Sequence, residues 1–183
     1  MALKATIFKA ELQVSDLDRH YFATHSLTIA RHPSETDQRM MVRLVAFALN
    51  ADERLEFGRG LSSEDEADLV RKDLTGTIEL WIEVGLPDER EIRKAAGRAR
   101  AVAVYLYGGR SAALWWRQNE AAMAKLDNVT VVEIPEDASA QLASLAQRNM
   151  RCDCTVQEGQ VYLHAGDAAL QFEPVVLKAA TRA

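Results

Sequence analysis

The sequence is poor in cysteine: only Cys152 and Cys154 occur, separated by one residue. A disulfide between them would close a very small ring, which disulfide geometry disfavours. On a strand the two thiols would share one face, while His164, after a turn, would lie opposite Asp153, whose side chain points to the other face. Further ligands at a zinc spacing are absent, so we expect structural thiols that hold no metal.

Long hydrophobic runs are also absent. No apolar stretch approaches the roughly 20 residues that a membrane-spanning helix needs. The opening stretch, MALKATIFKAELQ, alternates and carries Lys4, Lys9 and Glu11, so it is typical of a strand and lacks the apolar core of a signal peptide. We therefore expect a cytoplasmic protein that does not contact a membrane.

The chain has no excess of positive charge, because its formal net charge is −5. The surface as a whole would therefore not attract nucleic acid, although a local basic patch or a bound metal ion suffices for such binding. The hydrophobic share of 48% and the charged share of 27% are typical of a folded globular chain. A length of 183 residues suits one domain, so we expect a single, monomeric domain over residues 1–183.

Hydrophobic periodicity and turn residues predict the order of the elements. Strands at 3–14 and 20–31 form an antiparallel hairpin, and Ser34 caps a helix that ends near Asn50. The remaining elements are a short strand at 55–59, an acidic loop at 62–66, a hairpin at 67–85, helices at 88–99, 111–126 and 137–148, and strands at 101–107, 128–134, 152–157, 160–165 and 169–174. This order predicts an α/β (α+β) fold in which a mixed sheet is flanked by helices.

Two helices carry patterns that bear on packing. In the first, Glu35, Arg39 and Arg43 recur every four residues on a side away from the apolar stripe, a spacing at which side chains form ion pairs. In the third, Trp115 and Trp116 are expected to pack in the core and at its rim, because an aromatic pair on a helix usually buries its area.

The stretch ADLVRKDLTGTIELWIEVG, residues 67–85, combines strand periodicity with acidic residues. If Thr75 and Gly76 form a two-residue loop, with Gly76 supplying a positive φ angle, the register of the hairpin follows. The predicted pairs on one face are then Lys72–Glu79, Val70–Trp81 and Asp68–Glu83. A three-residue loop would instead pair Asp73 with Thr77 and remove the match between the two acids.

Asp68 and Glu83 in this register would have Cβ atoms about 5 Å apart, where like charges destabilise a sheet. A divalent cation removes the conflict, and Mg²⁺ commonly binds one or two protein carboxylates together with water. Such an ion could polarise a phosphodiester and activate water, while Lys72 would stabilise the developing charge. A solvated sheet face, on which Lys72 and Glu79 form a surface ion pair, is the other interpretation.

Three long stretches resemble the YaeQ family of bacterial proteins: MALKATIFKAELQVSDLDRHYF, LTIARHPSETDQRMMVRLVAFALNADERLEFGRGLS and ELWIEVGLPDEREIRKAAGRARAVAVYLYGG. The match spans essentially the whole chain. This resemblance implies a divergent restriction-endonuclease-like fold, of the PD-(D/E)XK type, with added N-terminal and C-terminal strands. It also implies a magnesium-dependent nuclease, or a related phosphodiester-acting protein, with nucleic acid as its partner.

When the PD-(D/E)XK pattern is aligned with this sequence, its aspartate corresponds to Asp68. Ala67 stands where the pattern has proline. The second acid falls on Glu83, and Gly85 stands at the position of the lysine. An alternative placement on Glu79 loses the lysine as well, because Trp81 takes its position.

The resemblance further implies that Glu35 corresponds to an additional acidic ligand, so that Asp68, Glu83 and Glu35 would be the metal-binding set. Lys72 or Lys94 would supply the amine that the pattern's missing lysine would otherwise provide. Loss of the lysine also allows a different outcome, in which the chain keeps the fold as a non-catalytic module that binds nucleic acid or protein.

The helix after this hairpin is rich in basic residues. At three- and four-residue spacing, a set of them can approximate one face and contact a phosphate backbone, namely Arg90, Arg93, Lys94 and Arg98. A solvated face, balanced by Asp88, Glu89 and Glu91, is the alternative interpretation.

Overall fold

Two mixed sheets and four helices make up residues 4–59 and 65–181, which are the residues that the computed structural model describes. In chain order the elements are β1 (Thr6–Asp16), β2 (Tyr21–Arg31), α1 (Asp37–Leu49), β3 (Leu55–Phe57), β4 (Leu69–Lys72), β5 (Ile78–Val84), α2 (Glu89–Arg98), β6 (Ala101–Leu106), α3 (Arg110–Met123), β7 (Val129–Glu133), α4 (Glu136–Ala143), β8 (Asn149–Gln157), β9 (Gln160–Ala165), β10 (Ala168–Phe172) and β11 (Val175–Lys178). The predicted α/β (α+β) class is confirmed. Most of the predicted acidic loop at 62–66 lies outside the described residues.

The first sheet joins the two ends of the chain, in the order β10-β9-β8-β1-β2. β1 pairs antiparallel with β2 and parallel with β8. Alternate residues of β1, from Phe8 to Val14, are buried, as a two-residue period requires. The predicted additional strands therefore exist, but they form a sheet of their own.

The thiols of β8 follow the predicted arrangement. Cys152 and Cys154 both point into the core, whereas Asp153 is exposed and lies opposite His164. Burial raises the pKa of both thiols, that of Cys154 to about 12, so they stay protonated at neutral pH. Protonated, buried thiols are weak nucleophiles.

The second sheet has the order β11-β7-β6-β5-β4-β3, with β5, β6 and β7 parallel. One of its faces packs on α2 and α3 around Trp81, Ile92 and Trp115. The indole N–H of Trp115 donates to the Pro87 carbonyl at 2.8 Å, and Trp116 is partly buried. The prediction that both residues of the tryptophan pair pack against the protein is thus confirmed.

Helix α1 packs on the other face of this sheet and also contacts β1 and α4. Because it is covered from several sides, an uninterrupted run from Met40 to Ala48 is buried. Its N-cap is Thr36, whose hydroxyl accepts the Arg39 N–H at 3.1 Å, so the predicted cap at Ser34 was wrong. Ser34 instead hydrogen-bonds the His32 ring.

The end of one helix and the presence of one strand, both in the C-terminal part of the chain, also differ from prediction. Helix α4 ends at Ala143, several residues before the predicted end at residue 148, because the chain turns there to enter β8. Strand β11 pairs with β7 and was not predicted. Pro174 precedes this short strand, and proline next to a short apolar run weakens a strand pattern.

The hairpin between β4 and β5 contains the three-residue loop and not the two-residue loop. Asp73 N–H donates to the Thr77 carbonyl at 2.9 Å, and Lys72 pairs with Ile78. The predicted pairing of Lys72 with Glu79 was therefore wrong.

A β-bulge, in which Glu79 is the extra residue, follows directly. Such a bulge adds one residue to one strand, so it cancels the shift that the longer loop introduces. Val70 consequently pairs with Trp81, as predicted. Continued by one step, the same register places Asp68 opposite Glu83.

Candidate functional site

Asp68 lies just before β4, beside the C-terminal end of β5. Its backbone N–H donates to the Ile82 carbonyl at 3.0 Å, and its Oδ2 accepts the Val84 N–H at 2.7 Å. These two bonds fix the carboxylate at the end of the sheet. The side chain remains 17% exposed, so it is accessible to water.

Glu83 projects from β5 on the same face as Trp81, toward α2. Its Oε1 accepts the Trp81 indole N–H at 2.7 Å. Burial, followed by the charge of the neighbouring Asp68 carboxylate, raises the pKa of Glu83 to about 8. Most Glu83 side chains are therefore protonated at pH 7, and this proton relieves the like-charge conflict that the sequence predicted for the pair.

Arg39, from α1, crosses the end of the sheet to reach Asp68. Its Nη2 donates to Asp68 Oδ1 at 2.7 Å and to the Val84 carbonyl at 3.2 Å. Its Nη1 donates to Glu35 Oε2 at 2.5 Å. The Arg39 guanidinium thus connects the Asp68 carboxylate, the backbone of β5 and Glu35, which precedes α1.

Glu35 is buried between two arginines. Its other oxygen, Oε1, accepts from Arg43 Nη2 at 2.5 Å, and the Arg43 side chain is only 1% exposed. The predicted ladder of ion pairs is therefore present, although it lies inside the protein. Both oxygens of Glu35 bind arginine, so its predicted position as a metal ligand next to Asp68 is taken by Arg39.

The other predicted catalytic residues lie elsewhere. Lys72 is exposed at the turn end of β4, about 13 Å from Asp68 by the rise of a strand. Glu79 pairs with Arg71 at 3.0 Å and with Arg54 at 3.1 Å. The bulge explains this outcome, because it turns the Glu79 side chain toward those arginines.

The predicted basic residues of α2 lie at the surface. Lys94 contacts Asp65 at 2.5 Å, and Arg93 contacts Glu89 at 2.6 Å. Arg98 stacks over the Trp81 ring, 5.5 Å from its centroid, and Arg90 is exposed. The structure thus places Arg98 one side chain away from Glu83, with Trp81 between them, while Lys94 is held on the surface.

Sequence reasoning missed three members of this site. Arg39 was predicted only as a helix-surface residue, although its spacing from Glu35 was the available signal. Glu91, on α2, adds a smaller contribution to the raised pKa of Glu83. Tyr107 lies just after β6; burial raises its pKa, and the charge of the nearby Arg39 opposes this rise. The signal for these two contacts is long-range and is not visible in local patterns.

The oxygen atoms of this site determine whether a magnesium ion fits it. Within residues 4–59 and 65–181, no group of three or more His, Cys, Asp or Glu side chains is arranged to hold a metal. The pair Asp68 and Glu83, together with the Val84 carbonyl, nevertheless supplies hard oxygen ligands. Because Mg²⁺ often takes only one or two carboxylates and keeps several waters, this donor set fits it chemically.

Fold and site together define an α+β protein with two mixed sheets and a pair of acidic side chains at adjoining strand ends. The chain belongs to the YaeQ family, whose model, described as YaeQ protein, matches residues 1–174.

Relatives resemble this chain over most of their length. Two proteins, each named "Uncharacterized protein YaeQ", are 50% identical in Salmonella typhi and 48% identical in Escherichia coli K12, over 89% of this chain and 90% of each relative. A crystal structure of a YaeQ protein from Xanthomonas axonopodis pv. citri superposes with a TM-score of 0.93 at 51% identity, covering 96% of this chain and 99% of that one. The YaeQ protein from Pseudomonas syringae gives 0.90 at 36% identity, covering 96% and 97%. No helix in the described part of this chain is long and apolar enough to cross a membrane.

Proposed function

We propose that this chain is a magnesium-dependent phosphodiester-acting protein, a nuclease of the restriction-endonuclease-like class, with its cation site at Asp68 and Glu83. One observation carries the proposal: the carboxyl groups of Asp68, just before β4, and Glu83, on β5, lie together at the end of the sheet, where Asp68 raises the pKa of Glu83. Acidic groups placed together in this way are characteristic of functional sites more than of sheet surfaces.

The order of elements supports this class. Helix α1 is followed by the antiparallel strands β3, β4 and β5, then by α2 and by β6, which is parallel to β5. This is the order that the family resemblance implies, with Asp68 immediately before the second of these strands and Glu83 near the end of the third.

In the proposed site, Asp68, Glu83 and the Val84 carbonyl would hold the ion. A bound Mg²⁺ supplies Lewis-acid polarisation of a phosphodiester and a more acidic water. Trp81 orients Glu83 through its indole N–H, and Asp68 is oriented by the Val84 N–H. The surface arginines of α2 would bind the nucleic-acid backbone, because guanidinium groups pair well with phosphates.

Calorimetric titration with Mg²⁺ and Mn²⁺ tests the cation site. We expect affinity in the millimolar range and, at pH 7, release of close to one proton per ion, because the pKa of Glu83 is about 8. Two buffers of different ionisation enthalpy reveal that proton. Asp68→Asn should weaken binding at least about tenfold, and Glu83→Gln should abolish the proton release.

Glu56→Gln is the matched control, because Glu56 is an exposed acid on β3. It should leave affinity and proton release unchanged. A panel of DNA and RNA substrates, incubated with Mg²⁺, then tests cleavage. Absence of ion binding in the wild-type chain, together with intact substrates, would contradict the proposal.

A second candidate function is a non-catalytic module that binds nucleic acid or protein. The ion pair between Arg39 and Asp68 favours it, because the site is already compensated without a metal. This candidate predicts that Asp68→Asn leaves nucleic-acid binding intact, whereas Arg93→Glu with Lys94→Glu weakens it and lowers its salt dependence. The nuclease proposal predicts loss of cleavage in Asp68→Asn.

A further inference from the structure

We infer that the Arg39 guanidinium is a resident cation of this site, and that a divalent ion binds at Asp68 only when the guanidinium has left it. The inference rests on the proposed function and adds a regulation of the same site. It starts from the contacts of a single nitrogen: Arg39 Nη2 lies 2.7 Å from Asp68 Oδ1 and 3.2 Å from the Val84 carbonyl.

The available oxygens explain why the two cations exclude each other. Asp68 Oδ2 already accepts the Val84 N–H, and Glu83 Oε1 accepts the Trp81 N–H. Asp68 Oδ1 and the Val84 carbonyl, which face the site, are both held by Arg39. A metal ion that binds Asp68 Oδ1 or the Val84 carbonyl therefore has to displace Arg39 from it.

Charge acts in the same direction. A guanidinium and a doubly charged ion that share Asp68 Oδ1 would lie within a few ångströms of each other and repel strongly in a half-buried site. Arg39 and Arg43 already balance the charges of Glu35 and Asp68 through three ion pairs. The resident arginine thus replaces the electrostatic role of a metal.

The surroundings of Arg39 allow it to move. Its side chain is 29% exposed, whereas that of Arg43 is only 1% exposed. Glu35 would keep its bond to Arg43 after the departure, so the buried end of the network would remain paired.

Titration of Mn²⁺ into wild-type protein and into Arg39→Gln tests this exclusion. We expect the variant to bind Mn²⁺ at least about tenfold more tightly, because the competing cation is gone. Arg39→Lys keeps the charge but lacks the forked contact, so its affinity should fall between the other two. Arg151→Gln is the matched control: Arg151 is 90% exposed on β8, in the other sheet, so its replacement should leave the affinity unchanged.

Thermal unfolding gives a second readout that does not depend on activity. Without metal, Arg39→Gln should melt below the wild-type protein, because Asp68 loses its partner. Saturating Mn²⁺ should then raise its Tm more than it raises that of the wild type, by mass action on the tighter site. Arg39→Lys serves this comparison if the glutamine variant does not fold.

The outcomes separate the two proposals. If the wild type binds Mn²⁺ and Arg39→Gln binds it equally or more weakly, the resident-cation inference is wrong while the cation site stands. If only the variants bind, Arg39 blocks the site and the proposed magnesium dependence of the natural chain is wrong. If no form binds Mn²⁺, both are overturned.

Discussion

Helix α1 has a polar cluster at each end, and the two clusters differ in how their charges are matched. At the C-terminal end, Asp16 is 2% exposed and both of its oxygens accept hydrogen bonds from Arg19. Asn50 Nδ2 donates to the Tyr105 hydroxyl at 2.8 Å. Each of these groups has a partner of complementary kind.

The N-terminal end combines opposite charges with a like-charge contact. Arg39 and Arg43 balance Glu35 and Asp68, yet Glu83 lies against Asp68 and keeps a proton up to a pKa of about 8. The other four groups already balance each other, so a cluster that served only to stabilise the fold would not need the additional acid Glu83. The comparison indicates which cluster is the functional one. At the C-terminal end every polar group is paired within the cluster, whereas at the N-terminal end Glu83 requires a proton or a cation next to Asp68.

The largest expected effect comes from Arg43→Met at the N-terminal end. Arg43 donates to Glu35 and to the Ala30 carbonyl while only 1% exposed. Its loss leaves the buried Glu35 with Arg39 alone, so we expect the free energy of unfolding to fall by about 3–5 kcal/mol in urea denaturation. Arg19→Met, at the other end, should lower it by only about 1–2 kcal/mol, because that side chain is 38% exposed. Equal losses would remove the contrast between the clusters.

Glu83→Gln sharpens the comparison through pH. The folded pKa of Glu83 is raised from 4.5 to about 8, so its stabilising proton is fully present below pH 4.5 and is lost as the pH rises through 8. The amide variant, which has no proton to lose, should match the wild type at pH 4 and exceed its stability by about 2–4 kcal/mol at pH 9. Chemical denaturation across this range measures the difference, with Glu56→Gln as control. If the free energies of unfolding of the wild type and Glu83→Gln depend on pH in the same way, the proposed repulsion between Asp68 and Glu83 is absent.

Asn50→Ala tests whether the C-terminal cluster is a structural one. The variant leaves the fully buried Tyr105 hydroxyl without its donor, so we expect a loss of about 1–3 kcal/mol in the free energy of unfolding. Tyr105→Phe in the same background should recover part of this loss, because the unpaired hydroxyl is gone. Full additivity in this double-mutant cycle would refute a coupled pair.

The smallest effect belongs to His25, which hydrogen-bonds the Tyr21 hydroxyl at 2.8 Å and packs on the Phe47 ring. Burial lowers the pKa of His25 from 6.5, against the opposing charges of Glu53 and Asp52. Its contribution is therefore present above pH 6.5 and is lost as the pH falls through the lowered value. We expect a decline of below about 1 kcal/mol toward pH 5, which is absent in His25→Gln. An identical decline in that variant would assign the effect to another group.

Local patterns were sufficient to predict most elements and the face that carries Asp68 and Glu83. Strand alternation and helical spacing act over a few residues, so they can be read directly from the sequence. The match of the two acids was nevertheless predicted from a different loop, and it exists because the bulge at Glu79 compensates for the loop that the chain actually uses.

The rest of the site depends on distances that a sequence does not contain. Arg39 and Asp68 are 29 residues apart, and their contact forms only because α1 packs beside the end of β5. The same holds for the separation into two sheets, which requires β8 to pair with β1 across most of the chain. A one-dimensional pattern predicts which face of an element is apolar, but it does not predict which element will cover that face.

The parallel pairing of β1 with β8 has a consequence for the nascent chain. β1 begins at Thr6, but its neighbour on one side is not complete until Gln157 has been added. Until β8 has been synthesised, the backbone N–H and C=O groups along this edge of β1 therefore have no strand partner. Chains that stop before β8 would expose this edge, and we expect them to be recognised by chaperones or to aggregate rather than to accumulate as a smaller folded unit.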